Sequence, residues 1–330
     1  MRTSKKAFLF ASACIVLAVT GLVVAITCGA KQIPLNTVWN SIFHYEEVLE
    51  MQLVRHGRLP RALCTALVGG FLGVTGAMMQ GVTRNPIAEP SIMGISQGAT
   101  LFVAIASAIP GMYGILGNTF AAFLGAFVSG ILVLLFSMQN ARNMNMSRLL
   151  LAGTAMSTFF ISLASMIGIL TNKSQNLAFW VAGGFRSVNW TSVKLVLIVG
   201  GIAVFFSMLL APRINIVNLG EDVAVGLGEN PVVVRMLTLL LIIPICAVCV
   251  SVSGCISFVG LFVPWIVRKS VSSDYRIIMP LSFLLGSAMV IWADVAARLI
   301  ARPYETPVGL FTSVIGVPIF LWIVRKGADA

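Results

Sequence analysis

The sequence predicts an all-α polytopic membrane protein with about ten transmembrane helices. Three observations predict it: 58% of the 330 residues are hydrophobic, 10% are charged, and the mean hydropathy is +0.98. A soluble domain carries about 25% charged residues, so composition excludes a water-soluble enzyme. The formal net charge of +11 would point to nucleic acid in a soluble chain. Here the basic residues lie between long apolar runs, so membrane topology explains them better and no nucleic-acid partner is expected.

A spanning helix needs about 20 mostly apolar residues. The first run, Ala7–Thr27, follows Arg2, Lys5 and Lys6. It is longer than the roughly 7–15 residues of a signal-peptide core, and no small-x-small cleavage site follows it. We therefore expect a retained helix entering from the cytoplasm. Further spans are expected at about 61–82, 92–109, 114–138, 148–171, 193–211, 234–253, 256–268, 280–300 and 307–325. Both termini then lie in the cytoplasm, and residues 1–330 form a single transmembrane domain. The segment 256–268 is short, and Gly254 and Gly260 mark it as broken or re-entrant, which protein or a water-filled cavity must shield. Gly69, Gly73 and Gly76 form a small face that lets helices approach closely. Between the first two spans, Leu35, Val38, Ile42, Tyr45 and Leu49 fall at helical spacing beside Glu46, Glu47 and Glu50. That describes a short amphipathic helix on the outer surface.

With this topology thirteen basic residues face the cytoplasm and nine face outward, a high outer count. The outer excess is clustered: Arg55, Arg58 and Arg61 precede the second span, and Arg298 and Arg302 close the ninth. Two readings stand. The arginines form a docking surface for acidic groups, or they snorkel to lipid phosphates and pair with Glu305. Asp294 is the one carboxylate within an expected span, and it reads as a partner for Arg298 one helical turn away. One such group is thin support for ion coupling.

Enzymatic motifs are missing: no H-E-x-x-H, no G-x-S-x-G in a strand–turn–helix context and no G-x-x-x-x-G-K-[ST]. Cys246 and Cys249 form a C-x-x-C with no His or carboxylate nearby, and read as small packing residues. His44 and His56 read as surface residues. We expect neither a metal site nor a cofactor.

The longest inner connection is 212–233. Asn218 is placed to cap a short helix, with Glu221 at its third position and Asp222 also in the first turn. Val223, Val225 and Leu227 supply apolar contacts, and Gly228 ends the helix before Pro231. A helix of this kind fits a groove on a partner protein or is an ordinary loop helix.

The motifs that carry a resemblance are long and ordered. They are RLPRALCTALVGGFLGVTGAMMQGVTRNPIAEPSIMGISQGA at 58–99, WVAGGF at 180–185 and LGEDVAVGLG at 219–228. SGCISFVGLFVPWIVR at 253–268, ADVAARL at 293–299 and ETPVGLFTSVIGVPIFLWIVRK at 305–326 complete the set. Together they resemble the FecCD-type permeases of type II ABC importers, which carry iron–siderophores, haem or vitamin B12. The resemblance runs from about Arg58 to Lys326.

It implies a permease subunit in a bacterial cytoplasmic membrane, without catalysis of its own. ATP would be bound by two separate ATPase subunits, and ligand delivered by an extracytoplasmic solute-binding protein. Arg58, Arg61 and Arg298 match arginines that, in the vitamin B12 importer, receive acidic residues of the binding protein; Arg55 and Arg302 flank them. Leu219, Gly220, Glu221, Asp222, Ala224, Leu227 and Gly228 match the helices that couple to the ATPase. Asn85, Pro86 and Ile87 match one part of the cytoplasmic gate, and Asn145 and Met146 a second. Trp265 stands where the family's V-P-H-I-x-R has histidine, which favours a heterodimer with a second permease over a homodimer. The competing readings are an ion-coupled secondary transporter of a small solute and an integral-membrane enzyme.

Overall fold

The computed structural model describes residues 2–29, 31–109, 115–138, 146–301 and 304–328. Every regular element among them is helical. The first half holds α1 (Arg2–Thr27), α2 (Leu35–Phe43), α3 (Leu49–Gln52), α4 (Leu59–Thr83), α5 (Ile95–Ala108), α6 (Ile115–Ser137) and α7 (Met146–Leu170). The second holds α8 (Ser174–Ala182), α9 (Trp190–Leu195), α10 (Gly201–Leu219), α11 (Glu221–Gly226), α12 (Pro231–Ser253), α13 (Val259–Ser270), α14 (Tyr275–Leu299) and α15 (Val308–Ala328). Wider π-turns at Leu53–Arg58 and Val196–Gly200 join α3 to α4 and α9 to α10, making two continuous helices, Leu49–Thr83 and Trp190–Leu219.

The local chemistry explains the boundaries. Pro60 lies inside the continuous helix Leu49–Thr83 and leaves the preceding turn short of one donor; the Trp190 indole N–H donates to the Arg55 carbonyl there at 2.9 Å, and Arg84 ends the helix in a left-handed conformation at φ 52°. Asn230 caps α12 by accepting the N–H groups of Val232 and Val233. Asp274 caps α14 through the Arg276 N–H and also accepts a bond from Asn215 of α10 at 2.6 Å.

Seven described helices are long and apolar enough to cross a membrane, where about ten spans were expected. Of the remaining expected spans, two fall on helices shorter than the roughly 20 residues of a straight crossing, and the last is α15, 21 residues long. Ile95–Ala108 is apolar but short, and the expected span 256–268 is the 12-residue α13. That last segment is discontinuous with α12, as its glycines implied: Gly254 lies at φ +62° and Phe258 at φ +72°. The expected outer helix over 34–51 is α2 followed by a break at 44–48.

A second difference concerns 212–233. Pro212 removes one backbone donor without ending its helix, so α10 continues to Leu219 and the connection shrinks to 220–230. Asn218 therefore lies inside α10, and Gly220, at φ +136°, precedes α11 without a side-chain cap.

The core is built around α4, which packs most extensively on α14 and also touches α10, α12 and α13. The small face read from the sequence is the contact surface. A methyl group on Gly69 would sit 2.3 Å from the Gly286 carbonyl oxygen, one on Gly73 2.3 Å from that of Ser282, and one on Gly76 1.9 Å from that of Gly260. These helices touch backbone to backbone. Gly76→Ala should therefore push α13 off α4 and cost about 1–3 kcal/mol, read as earlier thermal unfolding in detergent. Gly201→Ala, which meets nothing within 4 Å, should stay within about 0.5 kcal/mol.

Candidate functional site

α4 carries a cluster at each end, about 35 Å apart at 1.5 Å per residue. At its start the arginines converge, and their partners lie within the chain. Arg61 donates through Nε and Nη2 to one Asp294 oxygen at 3.1 and 2.8 Å, and through Nη1 to Glu305 at 2.7 Å. Arg298 pairs with the other Asp294 oxygen at 3.0 Å. The Asp294 carboxylate is fully buried and the Arg61 side chain 14% exposed, whereas Glu305 is 36% exposed.

Arg58 donates to the carbonyls of Ile26 and Thr27 at 2.7 and 2.8 Å and to that of Lys31. Arg298 donates to those of Ala25 and Cys28 at 3.0 and 3.4 Å. The last carbonyls of a helix have no intrahelical donor, and α1 carries no basic residue in its own last turn. Arginines from α14 and the π-turn supply the missing donors. The Asp294–Arg298 and Glu305 pairings thus form, and Arg55 remains exposed. Arg55 lies over the Tyr45 ring at 4.5 Å. Arg302 lies outside the described residues.

Beside this cluster opens a cavity of about 220 Å³ lined by Arg61, Asn118, Asn176, Phe179, Trp180, Arg186 and Glu305. Arg186 stacks on Phe179 at 3.5 Å and donates to the Glu305 carbonyl at 3.0 Å. Two guanidinium groups, carboxamides, aromatic faces and the Glu305 carboxylate line this concave surface. The lining residues Asn118, Asn176, Phe179 and Arg186 escaped the sequence reading. The available signal was WVAGGF, with φ +71° at Gly183, where a Cβ would lie 2.3 Å from the Cys255 carbonyl oxygen.

At the far end of α4 stand the residues expected from the sequence to couple and to gate. Glu221 opens α11 and accepts from Arg235 at 2.7 Å, while Arg235 also donates to the Val82 carbonyl at 3.1 Å. The hydrogen bond and charge of Arg235 hold the Glu221 carboxyl below its usual range. Ala224 is buried, while Val223, Val225 and Leu227, the residues expected to supply apolar contacts, are exposed with Leu219. α11 presents an apolar surface outside the spanning helices.

In the α4–α5 connection, Asn85 accepts the Ile87 N–H at 3.0 Å, closing the turn through Pro86. Asn145 lies outside the described residues, and Met146 is the first residue of α7. Trp265 stands edge-on to Trp322 of α15 at 5.2 Å, so the position that departs from the family pattern joins α13 to α15. Cys246 and Cys249 are both free and buried.

Residues 16–326 match the FecCD transport family. The chain belongs to that family. Among FecCD relatives, the iron(3+)-hydroxamate import system permease protein FhuB of Bacillus subtilis is 41% identical over 308 residues, covering 93% of this chain and 80% of that protein. The Fe(3+) dicitrate transport system permease protein FecC of Escherichia coli is 36% identical, covering 83% of each. The hemin transport system permease protein HmuU of Yersinia pestis is 32% identical, covering 90% of each. A solved inward-facing conformation of a metal-chelate type ABC transporter superposes with a TM-score of 0.83 at 26% identity, covering 96% of this chain and 98% of that one. This FecCD chain is thus an all-helical, multi-pass membrane protein with the fold of an ABC importer permease.

The buried pairing at the arginine end makes a direct prediction. Asp294→Ala leaves the buried Arg298 without a carboxylate and Arg61 with Glu305 alone, and should destabilise the chain by about 3–5 kcal/mol in detergent unfolding.

Proposed function

We propose that this chain is the permease subunit of a bacterial ABC importer for an iron–siderophore-type chelate. The reading rests on the family match over 16–326, and the 41%-identical iron(3+)-hydroxamate permease favours a ferric hydroxamate over haem or cobalamin. Arg186, the exposed guanidinium on the cavity wall, is a donor for the oxygen-rich surface that a ferric chelate with carboxylate or hydroxamate donors presents.

In this reading the chain lies in the cytoplasmic membrane with both termini inside. The arginine end faces outward and the α11 end faces the cytoplasm. The chain has no cofactor of its own; ATP is bound by two ATPase subunits. A second, different permease completes the pathway, and the lipid bilayer covers the outward apolar faces. The solute-binding protein docks on Arg55, Arg58, Arg61, Arg298 and Arg302. Arg58 and Arg298 already hold the end of α1, so Arg55 and the Glu305-paired edge of Arg61 are the accessible cations. Leu219, Gly220, Glu221, Asp222, Ala224, Leu227 and Gly228 form the ATPase coupling segment. Asn85, Pro86, Ile87, Asn145 and Met146 form the cytoplasmic gate. Closure of the ATPases would move α11 and, through the adjoining loop, the gate.

The test is uptake of radioactive ferric hydroxamate by vesicles holding this chain, a partner permease, the ATPase and the binding protein. ATP-dependent uptake is expected; its absence with ferric hydroxamate, haem and cobalamin alike overturns the reading. Arg55→Glu should lower binding-protein capture at least about tenfold, as loss of a charge-assisted contact does, without changing thermal stability. Val225→Asp with Leu227→Asp should abolish co-purification of the ATPase while leaving the chain inserted.

A further inference from the structure

The α4–α5 connection holds a carboxylate that the transport reading leaves without a role. Glu89, in the N-P-I-A-E-P run, is buried at 9% exposure. None of the ion pairs among the described residues includes it. Its Oε1 accepts the backbone N–H of Phe258 at 2.6 Å. Phe258 immediately precedes α13 and holds φ +72°, a region a bulky side chain keeps only where its surroundings hold it there.

Those surroundings can be named. Glu89 holds the Phe258 N–H, Gln80 of α4 donates to the Leu261 carbonyl at 2.7 Å, and Gly76 abuts Gly260. On the opposite side, a side chain on Gly316 would begin 2.4 Å from the Phe258 Cβ, so Phe258 is pressed against α15. At the other end of the loop, an Arg84 nitrogen lies 3.6 Å from where a side chain on Gly220 would begin, beside the start of α11. A continuous run of packed groups therefore leads from α11 through the loop and Glu89 to Phe258, α13 and α15.

The groups facing Glu89 are uncharged. Ser91 bonds it from its own loop, Cys246 and Cys249 face it from α12, and Ser96 from α5, around a cavity of about 20 Å³. Burial without a cation raises its carboxyl to about 7, against the lowering effect of the bonds from Phe258 and Ser91. The sign follows. The bond from Phe258 favours the charged form, so a proton gained as pH falls through this value weakens the bond.

We propose that Glu89 is a positioning residue that fixes the start of the discontinuous helix α13 to the gate loop, and that protonation of its carboxylate loosens this tie and makes import depend on pH. The pH dependence of import rests on the importer reading; the tie itself does not.

Two measurements test it. In the detergent-solubilised chain, amide exchange over 258–262, corrected for intrinsic rates, should be on the order of tenfold faster in Glu89→Ala than in the parent. The parent should exchange faster at about pH 6 than at about pH 8, and Glu89→Gln, which accepts the bond without titrating, should show no such pH difference. In the assembled importer, ferric hydroxamate uptake should vary several-fold over this range for the parent and be flat for Glu89→Gln. Exchange in Glu89→Ala within twofold of the parent, or identical pH profiles for parent and Glu89→Gln, overturns the proposal. An importer that moves no chelate at any pH instead overturns the transport reading, while exchange in the chain alone still decides whether Glu89 holds α13.

Discussion

The backbone-to-backbone contact along one face of α4 sets the position of almost everything else. Gly69 and Gly73 bring α14 against the helix, and Gly76 brings α13 against it. In lipid there is no hydrophobic drive between helices, so close approach and polar bonding must supply the association. Each further polar contact depends on that closeness. Gln80 reaches the Leu261 carbonyl because α13 is held at Gly76, and Arg61 reaches Asp294 because α14 is held at Gly69 and Gly73. Larger side chains at the three glycines would leave both polar groups short of their partners.

The same economy governs the positive charge at the start of α4. An arginine buried near the end of a membrane helix is costly unless its donors are used. Arg58 and Arg298 use theirs on the carbonyls that close α1, where the helix dipole also favours a cation. Asp294 receives two guanidiniums on a fully buried carboxylate. The excess of basic residues at this end is thus largely consumed in fastening α1 to α4 and α14. Among the described arginines at this end, those that remain exposed are peripheral: Arg55 and Arg186.

Much of this was legible in the sequence, and the omissions share a cause. Apolar run length identified the helices, Gly254 marked the break before α13, and the spacing of Asp294 and Arg298 gave their pairing one turn apart. All three are local signals. Arg61 with Asp294, Arg235 with Glu221, and Glu89 with the Phe258 amide join residues distant in sequence, and no periodicity reports them. The capping role read for Asn218 failed for a different reason: α10 continues through Pro212, which placed that residue inside a helix. α13 falls below the length of a straight crossing because it starts within the packed protein, where its first turn is satisfied by neighbouring groups.

The two ends of α4 solve opposite problems. At the arginine end nearly every charged group already has an internal partner, so a docking molecule can gain electrostatic energy there mainly by exchange, and Glu305 is the member most exposed to exchange. At the α11 end the situation is reversed. A six-residue helix is too short to be stable by its own hydrogen bonds, and α11 is anchored through Ala224 and the Arg235–Glu221 bond. Its larger apolar side chains are left in the open, and burying them on another surface would add the stability the helix lacks. An element that is weakly held alone and strengthened by contact is one whose position an attached partner can set. Glu89, between that element and α13, lies where such a displacement would be passed on or lost.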